Sequence, residues 1–414
     1  INPAYVDVTA RLLADHPQGG KARVAQADFF STDWAGLLAA CAEPILIIGN
    51  PPWVTNSGLG VLGSSNLPEK SNFHRYAGLD AITGKSNFDI SEWMLIQLLE
   101  CLDSRTATLA MLCKTAVARK VLVHAWKRQL NVGSAALYGI DAAKHFSAAV
   151  DACLLVCQFA PGSRSLDCDV CSELANADRN RSLGYRDGRL LADVGAYERL
   201  KHLRGREVYR WRSGVKHDCS GVMEFREEGG RLVNADGEVV EIETEYLFPM
   251  LKSSEVANGS TEHPTRWMLV TQKTVGEDTS VIERTAPKTW EYLNRHAGRL
   301  DKRGSAIYKN RPRFSVFGVG EYSFAPFKVA ISGFYKRLAF AEIGNLEGKP
   351  IVLDDTSYFV PCHSRREADL IAAMLNSDLA REFYSAFVFW DAKRPITIYI
   401  LRQLSLSALA KELQ

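Results

Sequence analysis

Over the first 160 residues two periodicities alternate, and that alternation restricts the chain to few architectures. Apolar residues recur at helical spacing from Ala4 to His16, and Ala22 to Ala27 reads as a short strand ending at Asp28. A helix is expected from about Asp33 to Ala42, followed by a fully buried strand, Pro44-Ile45-Leu46-Ile47-Ile48-Gly49. After a polar, Gly- and Ser-rich stretch from Asn56 to Lys85, helical spacing returns over Phe88 to Leu102. Thr106 to Cys113, Ser134 to Ile140 and Ala152 to Phe159 read as strands, and Val117 to Leu130 as a helix. Strands alternating with helices predict an α/β unit with a mostly parallel sheet covered on both faces. Such sheets bind ligands beyond the carboxyl ends of their strands, so chemistry is expected just after Ala27 and just after Gly49.

The pattern changes at Pro161-Gly162-Ser163-Arg164-Ser165. Residues 161–207 are polar and rich in Arg and Asp, as a linker or junction would be, and residues 208–414 show irregular short strands with many turns. Helices are expected near Arg365 to Leu375 and Asp378 to Phe387, giving a second, α+β domain. A chain of 414 residues is long enough for two cores. Net charge is only +2, and residues 1–160 carry 13 basic and 13 acidic side chains, so the total says nothing about nucleic acid. The distribution does: from Lys302 to Arg337 there are eight Lys/Arg against one acid, Glu321. Lys302, Arg303, Lys309, Arg311 and Arg313 are therefore the candidate phosphate contacts. The aromatics among them, including Phe314, Phe317, Phe334 and Tyr335, are expected to be core.

Nine scattered cysteines, mostly in apolar stretches, suit small hydrophobes in a reduced, cytoplasmic protein. Cys168 and Cys171 have metal-ligand spacing, but the nearest companions, His217 and Cys219, are one residue apart, and no metal is expected. No apolar run is long enough to span a bilayer.

The sharpest local signal is Asn50-Pro51-Pro52-Trp53, directly after the apolar strand. Consecutive prolines hold the backbone extended. The Asn50 side-chain carbonyl and the Pro51 carbonyl are two acceptors, suited to an exocyclic amino group that donates twice. Trp53 offers a flat apolar face for a base. An Asn-Pro-Pro turn leaving a strand for purely structural reasons is the competing reading.

This segment resembles motif IV of the S-adenosylmethionine-dependent amino-methyltransferases. Neighbouring segments fit the same family in order and spacing. Ile1-Asn2-Pro3-Ala4-Tyr5-Val6 looks like motif II, Ala27-Asp28-Phe29-Phe30 like motif III, Phe88-Asp89 like the start of motif V, and His145-Phe146 like motif VIII. The resemblance implies that Asn2, Pro3, Asp28, Phe29, Asn50 and Asp89 line a cofactor pocket, with Asp28 on the cofactor adenine. It implies that Asn50, Pro51, Pro52, Trp53 and Phe146 handle a base extruded from DNA. It also implies a Gly-rich motif I and a ribose-binding acid upstream of Ile1.

Asn50 follows Asp28 by 22 positions and the large extra domain follows motif VIII, an order similar to the gamma class of adenine-N6 DNA methyltransferases. The expected architecture is a Rossmann-like methyltransferase sheet, truncated at its N-terminus, followed by an α+β target-recognition domain. Double-stranded DNA is the expected partner, in a restriction-modification setting, with a nuclease domain or restriction subunit left open. Cytosine-N4, RNA or protein-glutamine methylation, or DNA binding without activity, are the alternatives.

Overall fold

The computed structural model describes residues 3–54, 89–174, 179–205 and 209–414. They fall into two compact units, Ile1–Leu190 and Leu191–Gln414. Among the described residues no helix is long and apolar enough to cross a membrane.

The first unit is built on a sheet of seven strands: β1 (Ile45–Gly49), β2 (Ala107–Lys114), β3 (Val132–Ile140), β4 (Ala152–Phe159), β5 (Asp167–Cys171), β6 (Arg179–Arg186) and β7 (Arg189–Leu191). Their order is β1-β2-β4-β3-β5-β6-β7. β1 runs parallel to β2 and β3 parallel to β5, whereas β4 is antiparallel to both of its neighbours and β6 is antiparallel to β5. The sheet is thus mixed, not mostly parallel as the alternation predicts. The 141–151 connection explains the difference: it is too short to cross over the sheet, so β4 returns antiparallel and inserts between β2 and β3.

Helices 90–102 and 115–128 supply the core. Leu95, Ile96, Leu99 and Leu102 of the first and Ala118, Val121 and Leu122 of the second are fully excluded from solvent. They pack with Leu109, Leu155 and Phe159 of the sheet. Each such leucine contributes about 1.5–3 kcal/mol by leaving water. The second helix stops where Gln129 turns left-handed at φ 56°, with Lys127 and Arg128 complementing the negative helix end. Cys153 and Cys157 of β4 belong to the same core, and burial pushes the Cys157 thiol up to about 12, which keeps it protonated and inert.

Three expectations need correction. Residues 161–207 are not a plain linker, because β5, β6, β7 and a helix over Val194–Leu200 lie within them. Polar residues mislead there because these strands lie toward one side of the sheet and have half-exposed faces. β1 is not fully buried: with β2 as its one ladder neighbour among the described residues, Leu46 is 66% and Ile48 75% exposed. Residues 22–27 form no strand and join no ladder among the described residues. The first helix, Pro3–Ala14, buries none of its side chains.

The second unit contains a six-stranded sheet and a four-stranded sheet. In the first, Leu247–Leu251 lies between Arg266–Leu269 and Val352–Leu353. In the second, Phe327–Ser332 lies between Ala341–Ile343 and Ser357–Cys362. Helices Arg365–Leu375 and Asp378–Ser385 appear where the sequence predicts them. Ser364 and Ser377 cap them, accepting from the Glu367 and Ala380 amides. Asn376 joins the Phe340 backbone at both its amide and its carbonyl, at 3.1 and 2.8 Å, which fixes the turn between these helices.

Candidate active site

β1 and β2 are parallel, and β3 has the same direction because β4 is antiparallel to both β2 and β3. The carboxyl ends of three strands therefore share one edge of the sheet. Asn50-Pro51-Pro52-Trp53 leaves β1 there, Lys114 ends β2 there, and the short helix Ala142–Phe146 follows β3 there. Strand polarity, more than proximity in sequence, collects the residues.

Trp53 is held by its indole Nε1, which donates to the Leu112 carbonyl on β2 at 3.3 Å. Its ring meets the Phe146 ring edge to face, with centroids 5.5 Å apart and planes at 70°. These two rings are 93 positions apart in the chain, and the structure brings them together. Phe146 remains 45% exposed. Pro51 is buried and Asn50 exposed, and among the described residues no hydrogen bond uses the Asn50 amide or the Pro51 carbonyl. Among the described residues both acceptors are unclaimed.

Asp89 caps helix 90–102, and its Oδ1 accepts from the Ser91 amide at 3.2 Å and the Ser91 hydroxyl at 2.5 Å. Its Oδ2 lies 2.7 Å from the Lys114 ammonium, and the side chain is only 8% exposed. The next amide, Ile90, donates to the Val54 carbonyl at 3.0 Å. Both Asp89 oxygens are committed within the protein, so this residue ties the segment after Trp53 to the end of β2. Sequence reading names Asp89 for the cofactor pocket and misses its partner Lys114. A lone lysine closing the apolar run of β2 is the signal that marks it.

Asp28 sits in a turn, where its Oδ1 accepts from the Phe30 amide at 3.0 Å and its carbonyl from the Thr32 hydroxyl at 2.6 Å. No described residue donates to its Oδ2. Around it Phe29 packs on Trp34 with centroids at 4.6 Å, and Phe30 on Trp93 at 5.2 Å. Trp93 comes from the helix that Asp89 caps, one turn along. The sequence reading quotes Phe29 and Phe30 but not the two tryptophans, which only the helix geometry adds. Pro3 is exposed at the start of its helix, and Asn2 and Phe88 lie outside the described residues.

In the second unit the five candidate basic residues separate. The Arg303 guanidinium is half-buried and donates to the carbonyls of Leu300, His217 and Ser315 at 2.8, 3.2 and 2.7 Å, with its carbon 3.8 Å from the Tyr308 ring centroid. Burial lowers its pKa, so it serves the fold. Arg313 pairs with Asp301 through two nitrogens, at 2.7 and 3.3 Å. Lys302, Lys309 and Arg311 are exposed, and no described carboxylate pairs with them. The segment carrying them is shaped rather than loose. Asn310 and Phe314 are left-handed at φ 58° and 66°, and Phe314 is 1% exposed. Gln272 clamps Val316 at both backbone positions, at 3.1 and 3.2 Å.

No family profile matches the chain. Over 385 residues, 93% of this chain and 80% of the relative, it is 50% identical to the type II methyltransferase M.NspV of Nostoc sp.. The chain belongs to the type II methyltransferases. Among solved structures, the type IIL restriction-modification enzyme MmeI in complex with DNA aligns at a TM-score of 0.49 and 15% identity, over 89% of this chain and 47% of that one. The type IIG restriction endonuclease BpuSI aligns at 0.30 and 12%, over 87% and 46%. This methyltransferase spans about half the length of those two structures, and the alignments are too loose to argue from.

Proposed function

We propose that this methyltransferase transfers a methyl group to N6 of adenine in duplex DNA, after the base has left the helix, as the modification activity of a restriction-modification system. The observation that carries the proposal is the pairing of Trp53 and Phe146 at the strand edge where Asn50 and the Pro51 carbonyl offer two acceptors that no described residue engages. An adenine amino group is a double donor and matches them. Accepting its protons moves electron density toward the nitrogen lone pair, which is catalysis by orientation and electrostatics.

A base held between two parallel rings needs them about 7–8 Å apart, two contact thicknesses. Trp53 and Phe146 are closer than that and mutually tilted. Trp53 is the fixed platform, through its bond to Leu112, and Phe146 must swing aside to admit a base. Stacking of about 1–3 kcal/mol per base offsets part of the cost of extrusion, a few kcal/mol.

The described residues fit the adenosine end of S-adenosylmethionine: no described residue donates to Asp28 Oδ2, and the Phe30 ring two positions on packs against Trp93. Asp89 fits less well as a direct ligand, since both its oxygens are engaged. When bound, the cofactor supplies an electrophilic methyl group. Lys302, Lys309 and Arg311 take phosphates in this reading.

The test is methyl transfer to mixed-sequence duplex DNA, followed by nucleoside analysis. N6-methyladenine is the expected product, and Asn50→Ala should abolish it while leaving duplex affinity within about twofold. N4-methylcytosine as the product would overturn the base assignment, and a fully active Asn50→Ala would overturn the site.

A further inference from the structure

Phe334 and Tyr335 depart from the other aromatics of the basic stretch. Phe314 is buried, and Tyr308, Phe317, Tyr322, Phe324 and Phe327 are half-buried, but Phe334 is 39% and Tyr335 42% exposed. Two neighbouring rings in water at a loop tip are costly unless something covers them. Their loop is nevertheless anchored. The Gly333 amide donates to the Thr356 carbonyl at 2.9 Å, continuing the pairing of Phe327–Ser332 with Ser357–Cys362. The Ser332 hydroxyl accepts from the amides of Phe334 and Tyr335, at 3.2 and 3.3 Å, and is itself bonded to the buried Ser253. A Cβ at position 333 would lie 2.9 Å from the Thr356 carbonyl oxygen and 3.0 Å from Arg394 Nε, so only glycine fits the base of the loop.

Along the chain the charge beside the rings is positive, and across the ladder Asp355, its carboxylate 3.7 Å from Lys216, precedes the Thr356 that bonds the loop. Lys336 and Arg337 follow them directly and are exposed, and no acid occurs between Glu321 and Glu342. The Arg394 guanidinium lies 5.1 Å from the Phe334 centroid and is held by the Asp355 carbonyl at 2.6 Å. Its Nε is buried without a hydrogen-bond partner among the described residues. Flat rings flanked by the cations Lys336, Arg337 and Arg394 complement a polyanion that carries flat rings.

We propose that the Gly333–Arg337 loop is a second DNA contact, in which Phe334 and Tyr335 wedge against a base step while Lys336 and Arg337 bind the flanking phosphates. Rigid anchoring lets the loop push on the duplex without first ordering itself. An aromatic wedge unstacks neighbouring bases, and the cations keep the bent backbone close. The proposal rests on the reading of this chain as a DNA-acting enzyme and is separable from it by experiment.

The experiment titrates the full chain against a fluorescent duplex containing a sequence that the chain methylates, at several salt concentrations. Phe334→Ala with Tyr335→Ala should weaken binding about tenfold or more with an unchanged salt slope. Lys336→Ala with Arg337→Ala should flatten the slope by about 1.8, or 0.9 per phosphate. Phe334→Tyr with Tyr335→Phe should bind like the parent, and the thermal melts of all variants should coincide, separating contact from misfolding. Parent affinity in the alanine pair overturns the wedge but leaves the proposed function standing. The same holds if that pair instead changes the sedimentation of the free chain, the sign of a protein partner. No DNA binding by the parent chain overturns both.

Discussion

Replacing Asp89 tests whether the segment after Trp53 is fastened as described. Asp89→Ala removes a helix cap, at about 1 kcal/mol, and leaves Lys114 without its carboxylate. A charge-assisted bond is worth about 1.5–3 kcal/mol, and Lys114, being 25% exposed, can recover water, so the lower figure applies. The sum, about 2.5 kcal/mol, converts to roughly seventyfold more frequent opening of helix 90–102. Asp89→Asn keeps an equally good cap and loses only the charge, about 1 kcal/mol or roughly fivefold. Amide hydrogen exchange of this helix, followed by mass spectrometry on the intact chain, reads both values directly. Methyl transfer should fall in the same order, because the Ile90 amide bonds the Val54 carbonyl just beyond Trp53. Equal exchange rates in parent and Asp89→Ala would refute the account, as would an Asn variant as open as the Ala variant.

Three further outcomes follow from the second unit. Lys309→Ala with Arg311→Ala should flatten the salt dependence of DNA binding by about 1.8 without changing the melting temperature, and an unchanged slope would make them ordinary surface charges. Arg303→Ala should do the reverse, destabilising the unit by about 2–4 kcal/mol through three orphaned carbonyls, with the salt slope unaltered in a denaturation and binding series. Lys328 is excluded from solvent on Phe327–Ser332, and burial drives its pKa down to about 7. The unfolded chain then binds more protons between about pH 7 and pH 10.5, so stability rises with pH through that window and is lowest below it. Lys328→Met should flatten this rise, and equal slopes for parent and variant in urea melts at pH 7 and pH 9.5 would count against it.

The sequence made the inner secondary structure legible. β4 occupies its expected residues, and the 365–375 helix does too, because buried elements have clean periods and capped ends. Asn50-Pro51-Pro52-Trp53 stood out in the sequence because two prolines and an aromatic directly after an apolar strand are an unusual run. Partnership was not legible. β1 looks fully buried because Leu46 and Ile48 are apolar, yet periodicity carries no information about how many neighbours a strand has. The 161–207 stretch looks like a linker because its strands place charged side chains on half-exposed faces. Arg303 and Arg313 resemble Lys309 and Arg311 in sequence, and only three-dimensional neighbours separate a guanidinium that braces a loop from one that faces solvent.

The polarity of the first sheet also says where this protein can be altered at little cost. Because the carboxyl ends of β1, β2 and β3 gather the proposed reacting groups on one edge, the turns on the opposite edge carry none of them. One of these, Pro161–Gly162, is exposed, leads from β4 to β5, and has Gly162 at φ 76° with open space where a Cβ would stand. Exposed turn tips of this kind accept added peptide without disturbing the elements they join. A fluorescent tag or a fused effector inserted there would be carried on the far side of the sheet from Asn50, giving a tethering point for targeted methylation that leaves the base-handling edge untouched.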